Sequence, residues 1–121
     1  MQIGIQARGF KLTDGLRDHC ARRLRFALGS ATGKVHGVMI RLADQNGPRG
    51  GIDKRCTIRA TLHDAPLVTI VQDEADLYVA IDRAVDRLAR AISRRLERTW
   101  SIRRAAMPMP SMDDGVDTRP G

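Results

Sequence analysis

Arg83, Arg87, Arg90, Arg94 and Arg98 recur at steps of three and four residues. On a helix, at about 100° per residue, they fall within an arc of roughly 80° and span about 22 Å along the axis. A guanidinium is charged at every physiological pH and presents a planar fork that matches phosphate oxygens, so an aligned row of them can grip a nucleic-acid backbone. A merely solvated helix face is the competing reading. Asp73, Glu74, Asp76, Asp82 and Asp86 all precede Arg87, the order the helix dipole favours. Asp86 and Arg90 also stand at the i, i+4 spacing of an exposed ion pair. Yet the dipole acts on the end turns and gives no reason to align arginines along one side, which favours the phosphate-facing row.

The element that must carry this row is a helix predicted over Asp73–Arg98. Leu77, Ile81, Ala84, Val85, Leu88, Ile92 and Leu96 make its apolar stripe, with Asp73 as the expected N-cap and Asp76 three residues on as a short capping box. An earlier helix starts at Thr13, a good N-cap, and ends at Gly29. Its buried stripe is Leu16, Cys20, Leu24, Ala27 and Leu28, and Arg17, Arg22, Arg23 and Arg25 flank that stripe without lining up.

Alternation of apolar and polar residues predicts strands over 1–8, 35–42, 53–62 and 67–71. In the third, Cys56, Ile58, Ala60 and Leu62 face inward and Arg55, Thr57, Arg59 and Thr61 outward, an ordinary arrangement for a half-buried strand. Asn46-Gly47-Pro48-Arg49-Gly50-Gly51 reads as a long hairpin loop. It lacks the terminal Lys-Ser/Thr of a phosphate-cradling loop, and no helix follows it. The order strand, helix, three strands, helix describes one α+β domain, βαβββα, with a four-stranded sheet and both helices on one face. It covers residues 1–100, and 101–121 reads as a disordered tail, non-periodic after Trp100.

The net charge of +7 belongs to the first 100 residues, because Arg103, Arg104 and Arg119 in the tail are balanced by Asp113, Asp114 and Asp117. A domain this basic is attracted to polyanions, RNA and DNA foremost. Its four aromatics, Phe10, Phe26, Tyr78 and Trp100, are too few for an aromatic-studded base-reading sheet, so recognition through shape and backbone is expected. Cys20 and Cys56 fall on core-facing positions and read as reduced residues of a cytoplasmic protein. His19, His36 and His63 have no metal-ligand spacing. No nucleophile–base arrangement is legible. The expectation is a non-enzyme without cofactor, metal, small-molecule substrate or membrane partner, monomeric when free.

The chain resembles the ribosome hibernation promoting factors and ribosome-associated inhibitors, also called sigma-factor modulation proteins. The resemblance lies in Ile5-Gln6-Ala7-Arg8-Gly9-Phe10 leading to Thr13-Asp14-Gly15-Leu16-Arg17, in Arg22-Arg23-Leu24, and in Asp76-Leu77-Tyr78-Val79-Ala80-Ile81-Asp82 running into the basic half of the last helix. It covers roughly residues 1–98 and is to the short form, without the second domain that long members use to pair ribosomes. The Gly-Pro-Arg-Gly-Gly loop departs from the family pattern, being longer and richer in glycine.

The resemblance implies a βαβββα fold similar to double-stranded RNA-binding domains. It implies binding to the small ribosomal subunit where mRNA and tRNA would lie, silencing idle ribosomes under stress. It also implies rRNA contacts by Arg8, by Arg22 and Arg23 on the first helix, and by Arg83, Arg87, Arg90 and Arg94 on the last. A general double-stranded RNA or nucleoid binder, a small enzyme and a protein-binding adaptor are the competing classes.

Overall fold

The computed structural model describes residues 1–45, 52–63 and 65–106. The elements are β1 (Gln2–Arg8), α1 (Asp14–Leu28), a 3-10 turn (Gly29–Lys34), β2 (Val35–Asp44), β3 (Lys54–Leu62), β4 (Val68–Glu74) and α2 (Leu77–Ala106). This is the expected α+β order. The glycine-rich loop with Arg49, the tail from Met107 and the side chain of Trp100 lie outside the described residues.

Local chemistry sets the ends of α1. Thr13 has extended backbone, and its Oγ1 accepts from the Leu16 N–H at 3.1 Å, satisfying one of the donors a helix start leaves unpaired. At the other end Gly29, at φ +50°, donates its N–H to the Arg25 carbonyl, a conformation that costs an L side chain dearly. Helix α1 is also the crossover that a parallel strand pair requires: β1 lies parallel to β2, and β2, β3 and β4 follow antiparallel in the order β1-β2-β3-β4.

Direct register joins the apolar rows. Ile5 stands opposite Ile40, Ile40 opposite Ile58, and Ile58 opposite Ile70. These rows and the stripes of both helices merge into one core, in which Leu24, Ile40, Ile58, Ile81, Leu88 and Ile92 are fully buried. Both helices therefore occupy one face of the sheet and leave the other open. At the root of the β2–β3 loop Asp53 is buried, and Lys54 Nζ neutralises it at 2.8 Å while reaching Asp44 at 3.4 Å.

Two boundaries differ from expectation. Asp73 does not cap α2. It lies in β4 opposite Arg55, and Asp76 Oδ1 caps the helix instead, accepting from the N–H groups of Tyr78 at 2.8 Å and Val79 at 3.3 Å. A cap must immediately precede the first turn, and pairing with β3 draws residues 72–74 into the sheet. Helix α2 also runs on through Ala106, so residues 101–106, expected in the tail, are helical. No proline or glycine interrupts the chain between Arg98 and Ala106, and Pro108 is the first breaker. Helix α2 is about 45 Å long, and among the described residues its last fully buried one is Ile92.

The two cysteines sit in this core. Burial, with Asp82 adding to it, pushes the Cys20 thiol up to about 11, and burial, with Cys20 adding to it, pushes Cys56 up to about 12, against an ordinary 9.0. A raised thiol value favours the folded state fully below the unfolded value, and that advantage is lost as pH rises from there toward the folded values. The native protein should thus resist iodoacetamide at pH 8 while the urea-unfolded chain labels at both thiols. Its melting temperature should fall between pH 9 and pH 11 more steeply than that of a Cys20→Ala/Cys56→Ala variant.

Candidate nucleic-acid interface

Helix α2 turns its apolar stripe inward with Ala80, Ile81, Ala84, Val85, Leu88 and Ile92 buried, and this rotation places Arg83, Arg87, Arg90, Arg94 and Arg98 on its exposed side. The row expected from spacing is a surface feature, but its members differ in freedom. Arg83 Nη1 lies 3.1 Å from Glu74, whose carboxyl is held below its usual range by a hydrogen bond from Gln72 and by Arg83 itself. Arg87 leans over the edge strand, donating to the Val71 carbonyl at 2.7 Å and to Gln72 Oε1 at 2.8 Å. Arg90 and Arg94 are exposed and have no hydrogen-bond or ion-pair partner among the described residues.

The i, i+4 pair expected between Asp86 and Arg90 is replaced by a contact between helices. Arg23 of α1 donates from Nη2 to Asp86 at 3.0 Å and from Nε to Asp82 at 3.1 Å, and His19 Nε2 meets the same Asp82 oxygen at 2.7 Å. His19 also lies edge-on to Tyr78, with ring centroids 4.8 Å apart. The cluster ties α1 to α2 side by side with their chains running the same way, since positions 19 and 23 meet 82 and 86. Arg23, which the resemblance implies as an rRNA contact, braces the two helices in this structure, and its side chain is 27% exposed. Arg22, its neighbour, is exposed. Phe26 lies one turn beyond Arg22 on α1 and is 82% exposed; periodicity placed it off the core stripe without assigning it anything.

Arg8 does not join this set. It stands opposite Ala43 in the β1–β2 ladder, and Ala43 opposite Arg55 in the β2–β3 ladder, which puts Arg8 on the open face of the sheet, away from both helices. Arg41, Arg55 and Arg59 share that face by register. Alternation alone had passed over Arg55 and Arg59 as ordinary, because it cannot tell which outward residues of different strands become neighbours.

This geometry defines a basic α+β domain with arginines on both of its exposed sides. Residues 3–99 match the family described as Sigma 54 modulation protein / S30EA ribosomal protein. The chain belongs to this family of ribosome-associated factors of hibernation and translation inhibition, which are not enzymes. No curated protein matches the chain in sequence. The N-terminal domain of Protein Y from Thermus thermophilus is similar in structure, with 30% identity and a TM-score of 0.64 over 78% of this chain and 98% of that one. A ribosomal subunit interface protein from Coxiella burnetii shares the fold at 15% identity and a TM-score of 0.68, over 78% and 96%. No helix among the described residues is long and apolar enough to cross a membrane.

The brace has a measurable signature. Replacing Arg23 with Gln removes two charge-assisted hydrogen bonds from half-exposed acids. The expected loss is about 0.5–1.5 kcal/mol, a fall of several degrees in melting temperature, whereas Arg90→Gln should leave the melting temperature within about a degree. Equal, negligible effects in thermal denaturation would remove the brace from the account of stability.

Proposed function

We propose that this protein binds the small ribosomal subunit through rRNA phosphates met by the helix face, and inhibits translation by occupying the space that mRNA and tRNA would fill. The observation that carries this reading is the pair of exposed arginines that have no partner among the described residues, Arg90 and Arg94, within a row that also holds Arg83, Arg87 and Arg98. Arginines used in folding are held by acids or carbonyls, whereas these two project into solvent. Arg22 is exposed on α1, the helix that the Arg23 brace holds beside α2. The action is steric, with guanidinium forks positioning the domain and its volume excluding the ligands of an active ribosome. In this reading Arg8 contributes from the other side of the domain.

Affinity for purified small subunits should fall linearly in log–log form as salt rises, through counterion release. The Arg90→Gln/Arg94→Gln variant should keep its melting temperature, lose about two units of that salt slope, and lose inhibition in a purified translation system. A folded variant that still binds and inhibits like the parent would remove the helix face from the mechanism. Competition with plain duplex RNA separates this reading from a general double-stranded RNA binder, since only the latter would be displaced from subunits at comparable concentration.

A further inference from the structure

The open face of the sheet carries four arginines from three strands. Arg41 is the hub: it stands opposite Thr57, so Arg55 and Arg59 are its two diagonal neighbours across the β2–β3 ladder. Gln6 stands opposite Arg41 and Arg8 opposite Ala43 on the other flank, which makes Arg8 a diagonal neighbour as well. Diagonal positions on a sheet face lie about 7–8 Å apart, comparable with the step between successive phosphates of an RNA strand. Among the described residues one acid enters this face by register, Asp73, and Arg55 holds it in a two-pronged bridge at 2.7 and 3.0 Å. That bridge keeps the Asp73 carboxyl below its usual range. Arg8, Arg41 and Arg59 have no partner among the described residues.

The surface between them is concave. Two adjoining hollows share Arg41: one is lined by Gly4, Gly37, Met39 and Arg59, the other by Gln6, Arg8, Arg55 and Thr57. Like charges set as neighbours on a sheet repel one another and weaken it, and no acid of the described residues relieves Arg8, Arg41 or Arg59. An anionic partner would. Thr57, Thr61, Thr69 and Gln6 stand among the arginines, and the apolar residues on this face are the half-buried Met39 and Ala43 and the more exposed Val71. That composition suits a phosphate backbone better than an apolar protein surface.

We propose that this open face is a second RNA-docking surface, on which Arg8, Arg41 and Arg59 hold the phosphates of an RNA segment distinct from the one met by the helices. The domain is then held by RNA phosphates through charge on two opposite faces. The proposal rests on the ribosomal RNA reading of the helix face, and its test separates the two.

Because the native thiols are buried, a cysteine introduced on either face can carry a thiol-attached photo-crosslinker alone. Thr69→Cys places it opposite Arg59 on the open face, and Ser93→Cys places it between Arg90 and Arg94 on α2. On purified small subunits the two are expected to crosslink to different rRNA segments. In parallel, Arg41→Gln/Arg59→Gln should keep the parent melting temperature and lose about two units of salt slope, while Arg41→Lys/Arg59→Lys keeps the slope.

Crosslinks from Thr69→Cys to ribosomal protein alone, to nothing, or to the same segment as Ser93→Cys would overturn the proposal. So would an unchanged slope in the glutamine variant. Crosslinks from Thr69→Cys to rRNA without any from Ser93→Cys would uphold the sheet surface and overturn the helix reading instead. Failure of the parent protein to bind subunits would overturn both.

Discussion

Burial of one stripe of α2 against the sheet decides most of what this molecule presents to solvent. Ile81, Ala84, Val85, Leu88 and Ile92 have no accessible surface, and each large member contributes on the order of 1.5–3 kcal/mol by leaving water. Against a net stability of about 5–15 kcal/mol for a small domain, no other rotation of the helix about its axis is competitive. The small residues Ala80 and Ala84 let the helix sit close to its neighbours, and packing of that density leaves little room for sliding. Everything on the far side of the helix, the arginine row included, is held in direction by this contact.

Within that frame the acids sort the arginines into two groups. Asp82 and Asp86 take Arg23 from another helix, Asp73 takes Arg55 across a strand pair, and Glu74 takes Arg83 from the helix that follows it. The edge strand adds carbonyl acceptors, with Val71 accepting from Arg87 and Leu67 from Arg95 at 3.4 Å. Such half-exposed contacts are individually modest, yet they orient elements that burial alone would leave free to rotate in the plane of the interface. Among the described residues, Arg22, Arg90, Arg94 and Arg98 on one side and Arg8, Arg41 and Arg59 on the other, with Arg17 and Arg25 on α1, have no such partner. A domain with a formal charge of +7 and exposed arginines on two faces is attracted to polyanions, in keeping with a family of ribosome-associated factors.

The element order, the inward and outward residues of each helix and strand, the Thr13 and Gly29 caps and the exposed arginine row were all legible from the sequence. Each of these depends on local periodicity or on the conformational preference of one residue, and both operate within a few positions along the chain. The family resemblance was legible too, through short motifs running from β1 into α1, within α1, and at the start of α2. Helix ends were less so: Asp73 and Asp76 are both plausible caps by type, and the pairing of Asp73 with Arg55 across the β3–β4 ladder chose between them.

Which charged groups meet was decided only by the tertiary structure. Asp86 has Arg90 one helical turn away and takes Arg23, 63 positions distant, because α1 lies beside that face of α2 and brings a fork that two acids can share. Arg8 has the right type and place in its motif to accompany the helix arginines, yet strand register carries it to the opposite face among Arg41, Arg55 and Arg59. Period-two alternation says that a residue points away from the core. It does not say what stands beside it, since neighbours across a sheet are set by strand order and register, which arise from the packing of the whole chain.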